Sequence, residues 1–256
     1  MAPEIGIDIQ RFALIFFRTL SILWLVPIFA TRAISMPFKA GLSLIISYLI
    51  FEFGGIGLDT AYNPIYLSVL IIKEIFIGLT ISFFVRALFM MVFAAAEMAS
   101  LQTGFSFARF MDPITMSQSS VMEQLKNILT IMVFFSIDAH HTLIRGIFAS
   151  FKELPLGAVV LHNSLLTYII HVTGRIFSVG LRISAPLTVT LFIVELALGL
   201  LSRLIPQINV FIEGMPIKIL ITMVVLSFSL GITVTAIAGI FNGMEAEFLR
   251  IMRLMG

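Results

Sequence analysis

Charge interrupts almost every apolar stretch of this chain, and that constrains its fold more than the apolar content itself does. Ile219 to Met244, 26 residues, is the one long run without an ionisable side chain. It suffices to cross a hydrocarbon layer about 30 Å thick. The other apolar blocks each enclose charge: Arg18, the Lys73-Glu74 pair, Arg86, Asp138, Arg182 and Glu195. A charge at the centre of a lipid-facing helix costs at least about 2.5–3.5 kcal/mol, so such side chains face protein or water. The pattern predicts an all-α, polytopic, membrane-associated subunit whose helix faces are covered by partners.

Composition sets the scale. At 59% hydrophobic residues, the chain exceeds the roughly 45–50% of soluble domains. Its 256 residues accommodate about six long apolar helices, some broken or re-entrant, in a single membrane domain spanning 1–256. A net charge of +2 with scattered basic residues gives no nucleic-acid footprint. The absence of cysteine removes disulfides, thiolate nucleophiles and thiolate metal sites together. Residues 12–30 read as a retained first segment, because Arg18 splits any signal-peptide core and Ala30-Thr31-Arg32 is a poor cleavage site. Counted over six spans, loop cations divide six (Arg32, Lys39, Arg109, Lys126, Arg203, Lys218) against five (Arg11, Arg145, Lys152, Arg250, Arg253), so no positive-inside bias orients the chain.

Helix punctuation follows. The first helix ends near Pro27, a second starts at Pro37, and Gly54-Gly55-Ile56-Gly57 closes it. Ile65 to Ala96 is a predominantly apolar stretch of 32 residues, about 48 Å if helical, which predicts a long bent or protruding helix. Gly78 with Ser82, and Ala95 with Ala99, are spaced for close helix approach. Ser120 and Glu123 form a capping box for a helix reaching about Phe135. Residues 164–181 are helical, and Pro186 should kink or interrupt the next segment, which reaches Leu204. Pro206 to Pro216 reads as a short, half-apolar loop before the charge-free helix. In the tail, about 243–256, Met244, Phe248, Met252 and Met255 make one apolar stripe fit for a partner or a membrane surface.

The candidate sites are few. No phosphate-cradling glycine loop, His-Glu-x-x-His or Gly-x-Ser-x-Gly is present, so the reading is non-enzymatic, without a cofactor. Asp138, His140 and His141 offer metal-ligand chemistry. Adjacent histidines diverge by about 100° on a helix, however, so capping or packing of a helix end is favoured. A rival enzyme would use these same three residues. Lys73, Glu74, Arg182 and Glu195 suit either a proton relay in an ion-coupled transporter or pairing with a neighbouring helix or subunit, and pairing is favoured because no internal repeat exists. The segment 104–113 sets Phe105, Phe107, Phe110 and Met111 where a solvent loop would be polar, either as an openable seal or as filling under its own helices.

Three blocks resemble the FliR family of flagellar export-gate proteins. The first is Glu97-Met98-Ala99-Ser100 with Gln102-Thr103-Gly104-Phe105-Ser106-Phe107-Ala108 and Asp112-Pro113. The second is Arg182-Ile183-Ser184-Ala185-Pro186-Leu187 with Leu198-Gly199-Leu200-Leu201-Ser202-Arg203. The third is Pro206-Gln207-Ile208-Asn209-Val210-Phe211 with Gly214-Met215-Pro216-Ile217-Lys218-Ile219. The last ending favours the flagellar branch over the injectisome SctT homologues. One departure is Asp138-Ala139-His140, where the family often has Asn-Gly-His. The resemblance implies a pore subunit of the type III protein export gate in the bacterial inner membrane, at the flagellar basal body, joined to FliP-like and FliQ-like chains with an FlhB-like protein docked on them. It would conduct unfolded flagellar substrates. By the same resemblance Phe105, Phe107, Phe110 and Met111 are the plug, with Asp112 and Pro113 fixing its exit. Glu97, Gln102, Arg182, Pro186, Arg203, Pro206, Gln207, Asn209, Phe211, Pro216 and Lys218 are structural or subunit-contact positions.

Overall fold

A computed structural model describes residues 2–31, 34–58, 62–103, 121–159, 163–205 and 210–256. Among these residues all regular structure is helical: α1 (Ala2–Leu25), α2 (Pro27–Ala30), α3 (Met36–Phe53), α4 (Pro64–Thr103), α5 (Val121–Ser136), α6 (Ala139–Glu153), α7 (Asn163–Leu204), α8 (Val210–Asn242) and α9 (Met244–Met255). The breaks fall where the backbone demands them. Val26 is extended ahead of Pro27, and Ser35 is extended ahead of α3, whose second residue is Pro37.

Among the described residues, four stretches are long and apolar enough to cross a membrane: Met36–Phe53, Pro64–Thr103, Asn163–Leu204 and Gly214–Met255. The count reaches five if Val121–Ser136 and Ala139–Glu153, broken at Asp138, form one span. The all-helical membrane class stands, with four or five of the about six long apolar helices found among the described residues. Asp8, Arg11 and Arg18 crowd α1, which falls outside the set. The 40 residues of α4 measure about 60 Å, twice a hydrocarbon thickness.

Three expectations are corrected. Of the kink or interruption expected at Pro186, the interruption is not found, since α7 runs as helix for 42 residues through it. Internal prolines are tolerated in apolar helices where neighbouring groups satisfy the freed backbone. The chain from Val210 to Pro216 is not loop: α8 starts at Val210 and contains Pro216. Third, the tail stripe is not left for a partner. Met244, Phe248, Ile251, Met252 and Met255 are all buried, and α9 packs on α6 of the same chain. A Cβ on Gly146 of α6 would lie 2.6 Å from the Phe248 ring, so glycine makes the room.

The chain folds into two compact units interleaved along the sequence, one of Met1–Ala87, Asp138–Val172 and Asn242–Gly256, the other of Leu88–Ile137 and Thr173–Phe241. In the first, α3 lies along α1. Gly78 of α4 sits against α1 so closely that a Cβ would strike Ser21 Oγ and come within 2.6 Å of the Arg18 carbonyl. In the second, Phe89 meets Phe134 and Phe241 at ring distances of 5.6 and 4.9 Å. Ala99, Met122, Leu187 and Leu191 form its apolar cluster with Ile221, Val225 and Leu226. A Cβ on Gly180 would come within 2.9 Å of the Ala94 Cβ, so α7 lies close on α4 there.

Candidate functional site

The best-defined polar arrangement lies in the first unit and centres on Arg18 and Glu74. Both side chains are completely buried and pair directly, Arg18 Nε donating to Glu74 Oε2. Arg18 Nη1 also donates to the carbonyls of Ser150 (2.8 Å) and Leu154 (2.9 Å), where α6 ends. Its guanidinium carbon lies 4.3 Å from the Phe151 ring centre. From α4, Glu74 Oε1 accepts the Gly157 amide at 2.7 Å, and Lys73 Nζ donates to the Gly157 carbonyl at 3.2 Å. Gly157 holds φ +77°, a conformation that L side chains rarely adopt, and a Cβ there would meet Leu70 at 2.6 Å. One buried ion pair thus fastens α1, α4, the end of α6 and the turn beyond it. Glu74 thereby joins α4 to both α1 and the turn at Gly157, the pairing role of the two the sequence left open.

The remaining charges behave differently. In the second unit Lys218 on α8 pairs with Glu195 on α7, and Glu195 is 44% exposed. Arg86 and Arg182 lie exposed inside long apolar helices, and neither meets a partner among the described residues. Arg182 and Glu195 are 13 residues apart on α7, about 20 Å along its axis, too far for direct proton exchange. The apolar window is 67% buried in Pro64–Thr103, which carries Arg86, but only 28% in Asn163–Leu204, which carries Arg182 and Glu195, and 11% in Gly214–Met255, which carries Lys218.

Asp138, His140 and His141 stand at the α5–α6 break. Asp138 is left-handed at φ 56° and makes no side-chain capping bond, so of the capping or packing expected at this helix end the side-chain cap is not formed. Its Oδ1 instead lies 3.4 Å from His141 Nδ1 and 4.0 Å from His140 Nε2.

Other sequence candidates are placed as follows. Glu97, Gln102 and Pro186 are half-buried, while Arg203 and Pro216 are exposed. Phe105, Phe107, Phe110, Met111, Asp112 and Pro113 lie outside the described residues, as do Pro206, Gln207 and Asn209, and of Phe211 only its place in α8 is described. Sequence reasoning missed Lys126, counted as a loop cation but buried, with Nζ donating to Thr233 Oγ1 at 3.3 Å. It also missed Tyr168, which bonds Glu247 and carries the Arg250 guanidinium 4.5 Å from its ring centre. Polar side chains at helical spacing give no signal for partners a hundred residues away.

Comparison with known proteins agrees with this architecture. The profile of a family described as "Bacterial export proteins, family 1" matches residues 9–244. The chain is 31% identical over 225 residues to the flagellar biosynthetic protein FliR of Pectobacterium carotovorum subsp. carotovorum, covering 87% of this chain and 85% of that protein. Identity to the same-named protein of Bacillus subtilis strain 168 is 25% over 252 residues, 96% of this chain and 95% of that one. For Escherichia coli K12 it is 29% over 202 residues, covering 79% and 77%.

The buried pair makes a testable claim. Arg18→Met leaves the Glu74 charge buried alone and should destabilise the first unit by about 3–5 kcal/mol. Arg18→Met with Glu74→Leu should not recover wild-type stability, because the Gly157 amide and Leu154 carbonyl stay unpaired at about 1–3 kcal/mol each. Thermal unfolding of the detergent-solubilised chain measures both; full recovery in the double variant would reduce the node to a simple ion pair.

Proposed function

This chain belongs to the FliR family of bacterial export proteins, and on that premise we propose that it forms part of the wall and gate of the flagellar export pore. It is a non-enzymatic membrane component of the flagellar type III export apparatus. Its finer role is that of a subunit whose outer helix faces are completed by FliP-like and FliQ-like chains, with an FlhB-like protein docked on the assembly. Unfolded flagellar substrates would pass the resulting channel.

One observation carries this reading: Arg86 and Arg182 are exposed on long apolar helices and meet no partner among the described residues. Against lipid each would cost at least about 2.5–3.5 kcal/mol, whereas against a neighbouring subunit or a hydrated lumen each is solvated. Within this reading Phe105, Phe107, Phe110 and Met111 form the plug, and Asp112 and Pro113 turn the chain out of it. Gln207, Asn209 and Phe211 supply a second contact, with Glu97, Gln102, Arg203 and Pro206 as supporting positions.

Arg182→Leu tests the observation directly. The chain should remain as thermally stable as wild type, since Arg182 holds no partner among the described residues, while recovery of FliP-like and FliQ-like proteins in pull-downs should fall several-fold. Undiminished recovery would mean that the arginine faces no partner.

The plug carries a separate expectation. Phe107 and Phe110 are three apart in sequence, so a turn-like segment can present both to one side. Removing packed phenylalanines forfeits about 3–5 kcal/mol, enough to shift a closed–open balance by two or more powers of ten. Phe107→Ala with Phe110→Ala should leave assembly intact and make cells leak small ions. A tight membrane around a fully assembled double variant would place the seal elsewhere.

A further inference from the structure

The geometry points to a zinc-class metal site made by Asp138, His140 and His141 at the start of α6. Three potential ligand atoms, one per residue, lie within 4.8 Å of one another. The sequence objection was that neighbouring histidines diverge on a helix. Here the helix begins only at Ala139, and the two imidazole rings lie 4.2 Å apart, tilted by 37°. The carboxylate that would ordinarily cap α6 makes no capping bond and lies beside both rings.

The distances suit an ion better than direct hydrogen bonds. An N–H···O bond spans about 2.7–3.2 Å, shorter than the 3.4 and 4.0 Å from Asp138 Oδ1 to the two imidazole nitrogens. Bonds of about 2.0–2.2 Å to a tetrahedral Zn²⁺ set its ligands about 3.3–3.6 Å apart. The first distance already matches; the second, and a ligand spacing as wide as 4.8 Å, close by rotation of the exposed Asp138 and His141 side chains toward the half-buried His140. Two neutral imidazoles and one carboxylate favour a borderline divalent ion over Mg²⁺ or Ca²⁺, with water completing the shell. The positive end of the α6 dipole opposes a cation there, and the Asp138 charge offsets it. All three residues lie in the first unit, so the bound ion would tie the left-handed Asp138 to the opening turn of α6.

Calorimetric titration of ZnCl₂ into the metal-stripped full chain, purified without a polyhistidine tag, tests this. One Zn²⁺ per chain should bind, and excess MgCl₂ should not displace it. His140→Ala and His141→Ala should each weaken binding more than about tenfold, a loss that even outer-sphere partners can cause. Asp138→Asn should do the same while keeping the fold, because asparagine tolerates the left-handed conformation. The other two histidines provide the control: His162→Ala with His171→Ala should bind as wild type. Absence of binding, displacement by Mg²⁺, unchanged affinity in the three site variants, or loss in the control would each overturn the site.

Discussion

A guanidinium cannot rest against hydrocarbon, and the chain meets that constraint in two ways. Arg18 is solved internally, with a carboxylate, two backbone carbonyls and an aromatic face supplied by α4 and α6. That solution requires Gly157 to hold a left-handed turn and Gly78 to let α4 close on α1. The first unit is therefore fastened by polar contacts inside an apolar body, where each lost partner costs more than it would in water. Arg86 and Arg182 receive no such environment from the described residues of their own chain.

That asymmetry separates what the subunit does for itself from what it leaves to an assembly. The 40-residue α4 is mostly covered, as befits a central element, whereas the long windows of α7 and α8 are mostly bare. Bare apolar helices alone would suit lipid. Bare apolar helices carrying arginine, and a half-exposed Glu195–Lys218 pair, suit protein neighbours or a wet lumen. Membership in a family of export proteins gives those neighbours a natural identity without any new contact being assumed.

Much of the helical plan was legible because its signals are local. Pro27, Pro37 and the 54–57 glycines mark real ends, and the apolar run after Pro64 is one long helix. At Pro186 the expected interruption failed because a proline removes a single backbone donor, which a long apolar helix tolerates. The tail misled because an amphipathic stripe specifies that it must be covered, not by what. Gly146 opposite Phe248 shows the cover was in the same chain. Glu74 was recognised as a charge needing a partner, but 56 residues separate it from Arg18 and no periodicity links them. The tertiary ion pair, like the buried Lys126, belongs to packing and not to pattern.

Photo-crosslinking tests the central claim that protein covers the bare helix faces. Phe177 on α7 and Phe228 on α8 are 70% and 84% exposed, so a benzoylphenylalanine at either position samples whatever lies against that face. In cells with an assembled basal body, both positions should crosslink to other export-gate subunits, and the adducts should vanish when those subunits are deleted. Crosslinking to lipid alone at both positions in the assembled apparatus would contradict the account.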